Sequence, residues 1–149
     1  MKEFESESIK PIDPGFIDSA KKKAASFGNH SVYPYHLLLA CLEDPEAKVT
    51  LSKLFNRFGM TTQDVTSAVD CMIPKLDVIQ EATLIRLGFG AQGVMDDAEE
   101  EAILDVSSQV TPFHVFRSLL RENDGFTTSV LETCGIDVLD INSDLDWEW

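Results

Sequence analysis

The chain is written twice. The segment S-V-Y-P-Y-H-L-L-L-A-C-L-E at 31–43 returns as Q-V-T-P-F-H-V-F-R-S-L-L-R at 109–121. Val32 matches Val110, Pro34 matches Pro112, His36 matches His114 and Leu42 matches Leu120, at a constant offset of 78. Upstream, Asp18, Ala20 and Ala24 match Asp96, Ala98 and Ala102 at the same offset. Downstream, Leu54-Phe55-x-x-Phe58-Gly59-Met60 answers Val130-Leu131-x-x-Cys134-Gly135-Ile136 at an offset of 76, so the later copy lacks two residues of an intervening loop. Loops tolerate such changes. A shared order of matched positions with one small gap is the mark of a duplicated structural unit, which buries its apolar face against its neighbour.

Each copy reads as four helices. The first spans about Phe16 to Phe27, preceded by Asp13-Pro14 and stopped by Gly28, the arrangement of proline before and glycine after a helix. Its counterpart spans about Met95 to Val106 and opens on Asp96, Asp97, Glu99, Glu100 and Glu101, acids that suit the positive end of the helix dipole. The second helix opens on Pro34 or Pro112, where a missing N–H is harmless. Thr111 is a good N-cap and Tyr33 a poor one. The run Leu37, Leu38, Leu39, Ala40 and Leu42 is apolar nearly all round, so this helix belongs in the centre. The third helix follows Asp44-Pro45, carries Val49, Leu51, Leu54, Phe55 and Phe58, and ends at Gly59, as its counterpart ends at Gly135. Thr61-x-x-Asp64 opens the fourth as an acidic capping box. The expected class is therefore all-α. The expected organisation is a disordered arm over 1–15, one repeat over 16–74, a linker over 75–93, a second repeat over 94–143 and an acidic tail over 144–149. Within the linker, a short helix over 77–87 and a mobile loop at G-F-G-A-Q-G are expected.

The formal net charge of −14 is uneven, with −2 on residues 1–74 and −12 on residues 75–149. Such a field repels phosphate backbones, so nucleic acid is not an expected partner. No apolar run approaches the roughly 18 residues of a membrane span. The polar, acidic N-terminus resembles neither a signal nor a transit peptide, which points to the cytoplasm. Cys41, Cys71 and Cys134 are odd in number and widely spaced, which suits neither a disulfide framework nor a zinc site.

The segment V-x-P-x-H-L-L-L-A-x-L-E-D-P-E at 32–46, the later V-T-P-F-H-V-F-R-S-L-L-R-E-N-D-G at 110–125 and the two glycine endings resemble the double repeat of the N-terminal domain of the Clp (Hsp100) chaperones. The resemblance covers roughly residues 16–143. It implies two pseudo-symmetric four-helix repeats packed into one domain. It also implies a non-catalytic module that binds substrate, adaptor or a Clp ATPase. No G-x-x-x-x-G-K-[ST] occurs, so P-loop nucleotide hydrolysis is excluded and no cofactor is expected. Many family members carry Glu before the motif histidine, which in some helps to recognise phosphorylated arginine. Here those positions are Tyr35 and Phe113, and a ring cannot supply the carboxylate that pairs a guanidinium. Tyr35 and Phe113 are instead candidate protein-binding residues in a groove between the repeats. So are Lys21 and Lys22, a basic spot on an acidic protein, and Trp147 and Trp149 of the tail.

His36 and His114 occupy equivalent positions, and the only other histidine is His30. Too few ligands accompany them for a metal site, so local hydrogen bonding that seats each repeat is the expectation. No G-x-S-x-G is present. Two alternatives to a free-standing interaction module are the substrate-recruiting N-domain of a longer AAA+ unfoldase and a divergent ligand-binding protein on the same scaffold.

Overall fold

The computed structural model describes residues 9–121 and 125–141. Seven helices run through them in chain order: α1 (Pro14–Ser26), α2 (Pro34–Glu43), α3 (Pro45–Asn56), α4 (Thr62–Met72), α5 (Phe89–Leu104), α6 (Pro112–Leu120) and α7 (Phe126–Thr133). Residues 138–141 begin a further helical turn. Two strands of two residues each, β1 (Ser31–Val32) and β2 (Arg86–Leu87), pair in parallel.

The helix starts and stops follow local chemistry. The Asp13 carboxylate accepts from Gly15 N–H, and the Asp44 carboxylate accepts from Ala47 N–H, both at 3.0 Å. At α4 the Thr61 hydroxyl accepts from Asp64 N–H while the Asp64 carboxylate accepts from Thr61 N–H, which satisfies two otherwise orphaned donors. Gly59 and Gly135 end their helices at φ values of +76° and +82°. The following amides, Met60 and Ile136, donate back to Phe55 and Leu131.

α2 and α6 lie against each other at the centre. Leu37, Leu38, Leu39 and Leu42 of one, and Val115, Phe116 and Leu119 of the other, are buried. The contacts between the copies are reciprocal. The ring of Tyr35 at the start of α2 packs 5.1 Å from that of Phe126 on α7. The equivalent Phe113 at the start of α6 lines a surface depression with Thr50 of α3, and Thr50 is the counterpart of Phe126 at the offset of 76. The arm ahead of α1 pairs Lys10 with Gln109 at the entry to α6, and the arm ahead of α5 pairs Arg86 and Leu87 with Ser31 and Val32 at the entry to α2. Position i touching j′ while j touches i′ defines a two-fold relation. The two repeats form one domain about a pseudo-two-fold axis.

An ion pair repeats with its charges exchanged. Lys23 on α1 pairs with Glu43 on α2. At the offset of 78 these positions hold Glu101 on α5 and Arg121 after α6, which also pair.

The structure differs from the expectation in three places. First, the G-F-G-A-Q-G run is no loop: α5 begins at Phe89, six residues before the expected start at Met95, and takes in Gly90 and Gly93. Ala91 and Val94 continue the buried stripe of Ala98 and Ala102. That burial offsets the roughly 1 kcal/mol that each glycine costs in a helix. Gly90 also lies so close to Pro34 that a Cβ would sit 3.3 Å from its Cγ. The second repeat thus reaches into the expected 75–93 linker. Secondly, no α-helix spans 77–87. Only Ala82–Leu84 form a 3-10 turn, because Leu76 N–H donates to the Phe27 carbonyl and residues 86–87 pair as strand, which holds the chain extended. Ile85 is buried, while Ile79 is 99% exposed. Thirdly, residues 9–13 of the arm are held by backbone bonds from Lys10 to Ser108 and from Val110 to Lys10.

Val106 stands at φ +55°, where the first copy has Gly28 at φ +78°. The bonds around it are those of the glycine: Val106 N–H donates to Ile103 as Gly28 donates to Ala25, and Ser107 donates to Ala102 as Asn29 donates to Ala24. An L-residue in this region costs about 1–2 kcal/mol, and the 90% exposed Val106 side chain offers no burial in return. Val106→Gly should therefore raise stability by about 1 kcal/mol in urea denaturation, even though glycine loosens the unfolded chain. The opposite substitution should also stabilise, at a helix-interior glycine. Gly93 has nothing within 4 Å of a built Cβ, so Gly93→Ala should add about 0.5–1 kcal/mol by the same measurement.

Candidate interaction site

The two motif histidines are structural. His36 Nδ1 accepts from Tyr33 N–H at 2.9 Å, which leaves its proton on Nε2, 3.0 Å from Asn29 Oδ1. The ring is fully buried. It ties the turn after α1 to the start of α2, where the Tyr33 side chain makes no capping bond. His114 repeats the device: Nδ1 accepts from Thr111 N–H, and Nε2 faces Ser107 Oγ and Asp105 Oδ2 at 3.3 and 3.2 Å. Ser107 is the counterpart of Asn29.

The grouping of Ser107, His114 and Asp105 is not a nucleophilic relay. A relay needs the carboxylate on one ring nitrogen and the nucleophile on the other. Here both face Nε2, Nδ1 is taken by a backbone N–H, and the Ser107 hydroxyl donates to Asp105 at 3.1 Å. The imidazole has no free lone pair with which to accept a proton from Ser107. Among the described residues, no group of three or more His, Cys, Asp or Glu side chains is placed to hold a metal ion. No described helix is long and apolar enough to cross a membrane.

Besides the depression at Thr50 and Phe113, two wider clefts lie between the repeats. The larger, of about 670 Å³, runs between the arm, the start of α1, the α2–α3 junction and residues 109–112. Its carboxylates are largely committed: Asp13 and Asp44 cap helices, and Glu43 pairs with Lys23. The second, of about 560 Å³, lies between α1 and α5. Its apolar lining includes Ile9, Ile12, Ile17, Leu87, Met95 and Val110. Ile17 and Met95 are equivalent at the offset of 78, and so are Ile9 and Leu87. The pseudo-two-fold axis therefore passes through this groove. Its floor residues are half-buried or buried, and Asp18, Lys21, Asp96 and Glu99 stand on its rim.

Of the residues singled out in the sequence, Lys21 lies on the rim of the α1–α5 groove, and Lys22 is exposed beside it. Tyr35 and Phe113 are half-buried; Tyr35 packs against Phe126, and Phe113 lines the depression with Thr50. Burial, then the neighbouring Tyr33, raises the Tyr35 phenol above its ordinary pKa. Trp147 and Trp149 lie outside the described residues. The groove's apolar residues were not singled out from the sequence. Their signal is there, in equivalent apolar positions such as Ile17 and Met95 that fall off the alanine stripes of their helices.

The comparisons agree with this architecture. A family model described as the Clp repeat (R) N-terminal domain matches residues 15–105 and again 90–148. The chain belongs to the Clp N-terminal domain family. Its fold is similar to the N-terminal domain of the caseinolytic-protease-associated chaperone ClpD from Arabidopsis thaliana, at 22% identity and a TM-score of 0.64, over 86% of this chain and 85% of that one. It is similar also to the Hsp104 N-terminal domain from Candida albicans, at 23% identity and a TM-score of 0.68, over 86% and 82%. A chain from a malarial protein secretion system matches at 17% identity and a TM-score of 0.68, over 91% and 90%. The family's domains are the substrate- and adaptor-interacting modules of Clp ATPases.

Burial pushes the His36 imidazole from its ordinary value of 6.5 down to about 4. Between those values the unfolded chain binds a proton that the folded chain refuses, so acidification favours unfolding. The stability that His36 contributes is complete above the unfolded value and is lost as pH falls through the folded one. The denaturation midpoint of the wild type should therefore fall between pH 6.5 and pH 4 more steeply than that of His36→Gln. The variant has no imidazole to titrate, and the change in carboxylate repulsion is common to both.

Proposed function

We propose that this chain is a non-catalytic protein-interaction module whose α1–α5 groove takes an extended apolar segment of a polypeptide, whether a client, an adaptor or part of a Clp ATPase. One observation carries the reading: an apolar groove assembled from equivalent residues of both repeats, open to solvent and rimmed by charge. Grooves of this size with an apolar floor and a few polar rim groups are the usual form of a binding site. Family membership gives the class of partner. Lys21 serves as a rim contact, with Lys22 beside it, while Tyr35 and Phe113 belong to a second, smaller contact surface at the starts of α2 and α6.

The test is fluorescence anisotropy of a labelled, unfolded apolar polypeptide. Ile17→Asp with Met95→Asp should weaken binding at least about tenfold, as a charge placed in a desolvated contact does, while helical circular dichroism persists. Tyr35→Ala with Phe113→Ala should have the smaller effect on binding. If the groove pair leaves affinity unchanged and the aromatic pair abolishes it, the site lies at the starts of α2 and α6 instead.

A further inference from the structure

The α1–α5 groove is built on a two-fold axis, and this raises a question of direction. A peptide has none of that symmetry. Its floor, with Ile17 opposite Met95 and Ile9 opposite Leu87, offers an extended segment the same apolar contacts in either direction. The strand-like arms beside it, around Lys10 and around Arg86–Leu87, are themselves counterparts. Backbone pairing at the rim therefore offers little discrimination.

The rim breaks the symmetry. Positions 18 and 96 are both aspartate, but position 21 is Lys21 and its counterpart at 99 is Glu99. The α1 side carries one acid and one base and sums to zero; the α5 side carries two acids and sums to −2. Counterparts about a two-fold axis lie on opposite sides of it, so Lys21 stands on the α1 side of the groove and Glu99 on the α5 side. Among the described residues no ion pair engages either side chain. Rim charges contribute to specificity and register more than to affinity. Acting within the roughly 8 Å screening length of physiological salt, they are close enough to a bound chain to discriminate its ends.

We infer that Lys21 and Glu99 set the direction of a polypeptide bound in this groove: the basic end of an apolar segment lies against Glu99 and Asp96, and its acidic or neutral end against Lys21. The inference rests on the groove being the binding site. The partner it selects is an extended apolar segment with a basic residue at one end, in whichever chain direction places that residue by α5.

The experiment uses two synthetic peptides with one apolar core. One has two lysines at its N-terminus and two glutamates at its C-terminus; the other is its reverse. Each carries a nitroxide at the N-terminus, and isotope-labelled protein reports which amides broaden. The first peptide should broaden the α5 rim around Glu99, and the second the α1 rim around Lys21. Lys21→Glu with Glu99→Lys should exchange the two patterns. Lys21→Met with Glu99→Gln, which adds no new charge to the fold, should keep binding but lose the preference, because Asp18 and Asp96 then leave one acid on each side. Equal broadening at both rims in the wild type, or a pattern that does not move in the exchanged variant, overturns the inference and leaves the groove as the site. Failure of both peptides to bind overturns the groove reading itself.

Discussion

The packing of α2 against α6 is the contact on which everything else is arranged. Both helices are buried on nearly every side, and each is enclosed by its own repeat and by the other. A helix that is apolar all round has no water-facing side, so neither copy can shield its central helix alone. The chain therefore closes into one domain rather than two beads. The reciprocal arm pairings, Lys10 with Gln109 and Arg86–Leu87 with Ser31–Val32, lie at the entries to these same two helices. The buried imidazoles fix those entries from inside. His36 and His114 each accept an N–H at the start of the central helix and reach back to the turn after the helix before it.

Within that shared frame the copies have drifted in compensating ways. The ion pair Lys23–Glu43 reappears with its charges exchanged as Glu101–Arg121. Attraction has been retained while the sign at each position has reversed. Val106 in the place of Gly28 shows a change without compensation, since the backbone keeps a left-handed turn for a β-branched residue. The same drift reaches the groove, where Lys21 faces Glu99 across the axis. Divergence between copies leaves a near-symmetric groove with unlike charges on its two sides.

The chemistry of the polar clusters follows from what else they must satisfy. Asp105, Ser107 and His114 contain the side chains of a hydrolytic triad, yet the ring nitrogen that would act as base is occupied by Thr111 N–H. Asp13 and Asp44 line the larger cleft but serve as helix caps. The α1–α5 groove differs in that its apolar floor is left uncovered among the described residues, and Lys21 and Glu99 on its rim are in no ion pair there.

By itself the sequence determined the duplication, the helical class, the central place of α2 and α6 and most helix ends. Those are local matters: glycine at a left-handed turn, proline at a first position, Thr61 with Asp64, and apolar spacing of helical period. The family resemblance added the pairing of repeats, because motif spacing that matches the family's implies packing that matches it. Tertiary structure decided the start of α5 and the path of 77–87. Burial of Ala91 and Val94 and the approach of Gly90 to Pro34 outweigh the poor helix propensity of a glycine run. Strand pairing with β1 overrides an apolar pattern that reads as helix. The groove too was a tertiary decision. Ile17 and Met95 lie 78 residues apart, and only the two-fold packing of the repeats brings them to face one opening. Propensity acts over a few residues, whereas a site made by two halves exists only once both have closed on a common axis.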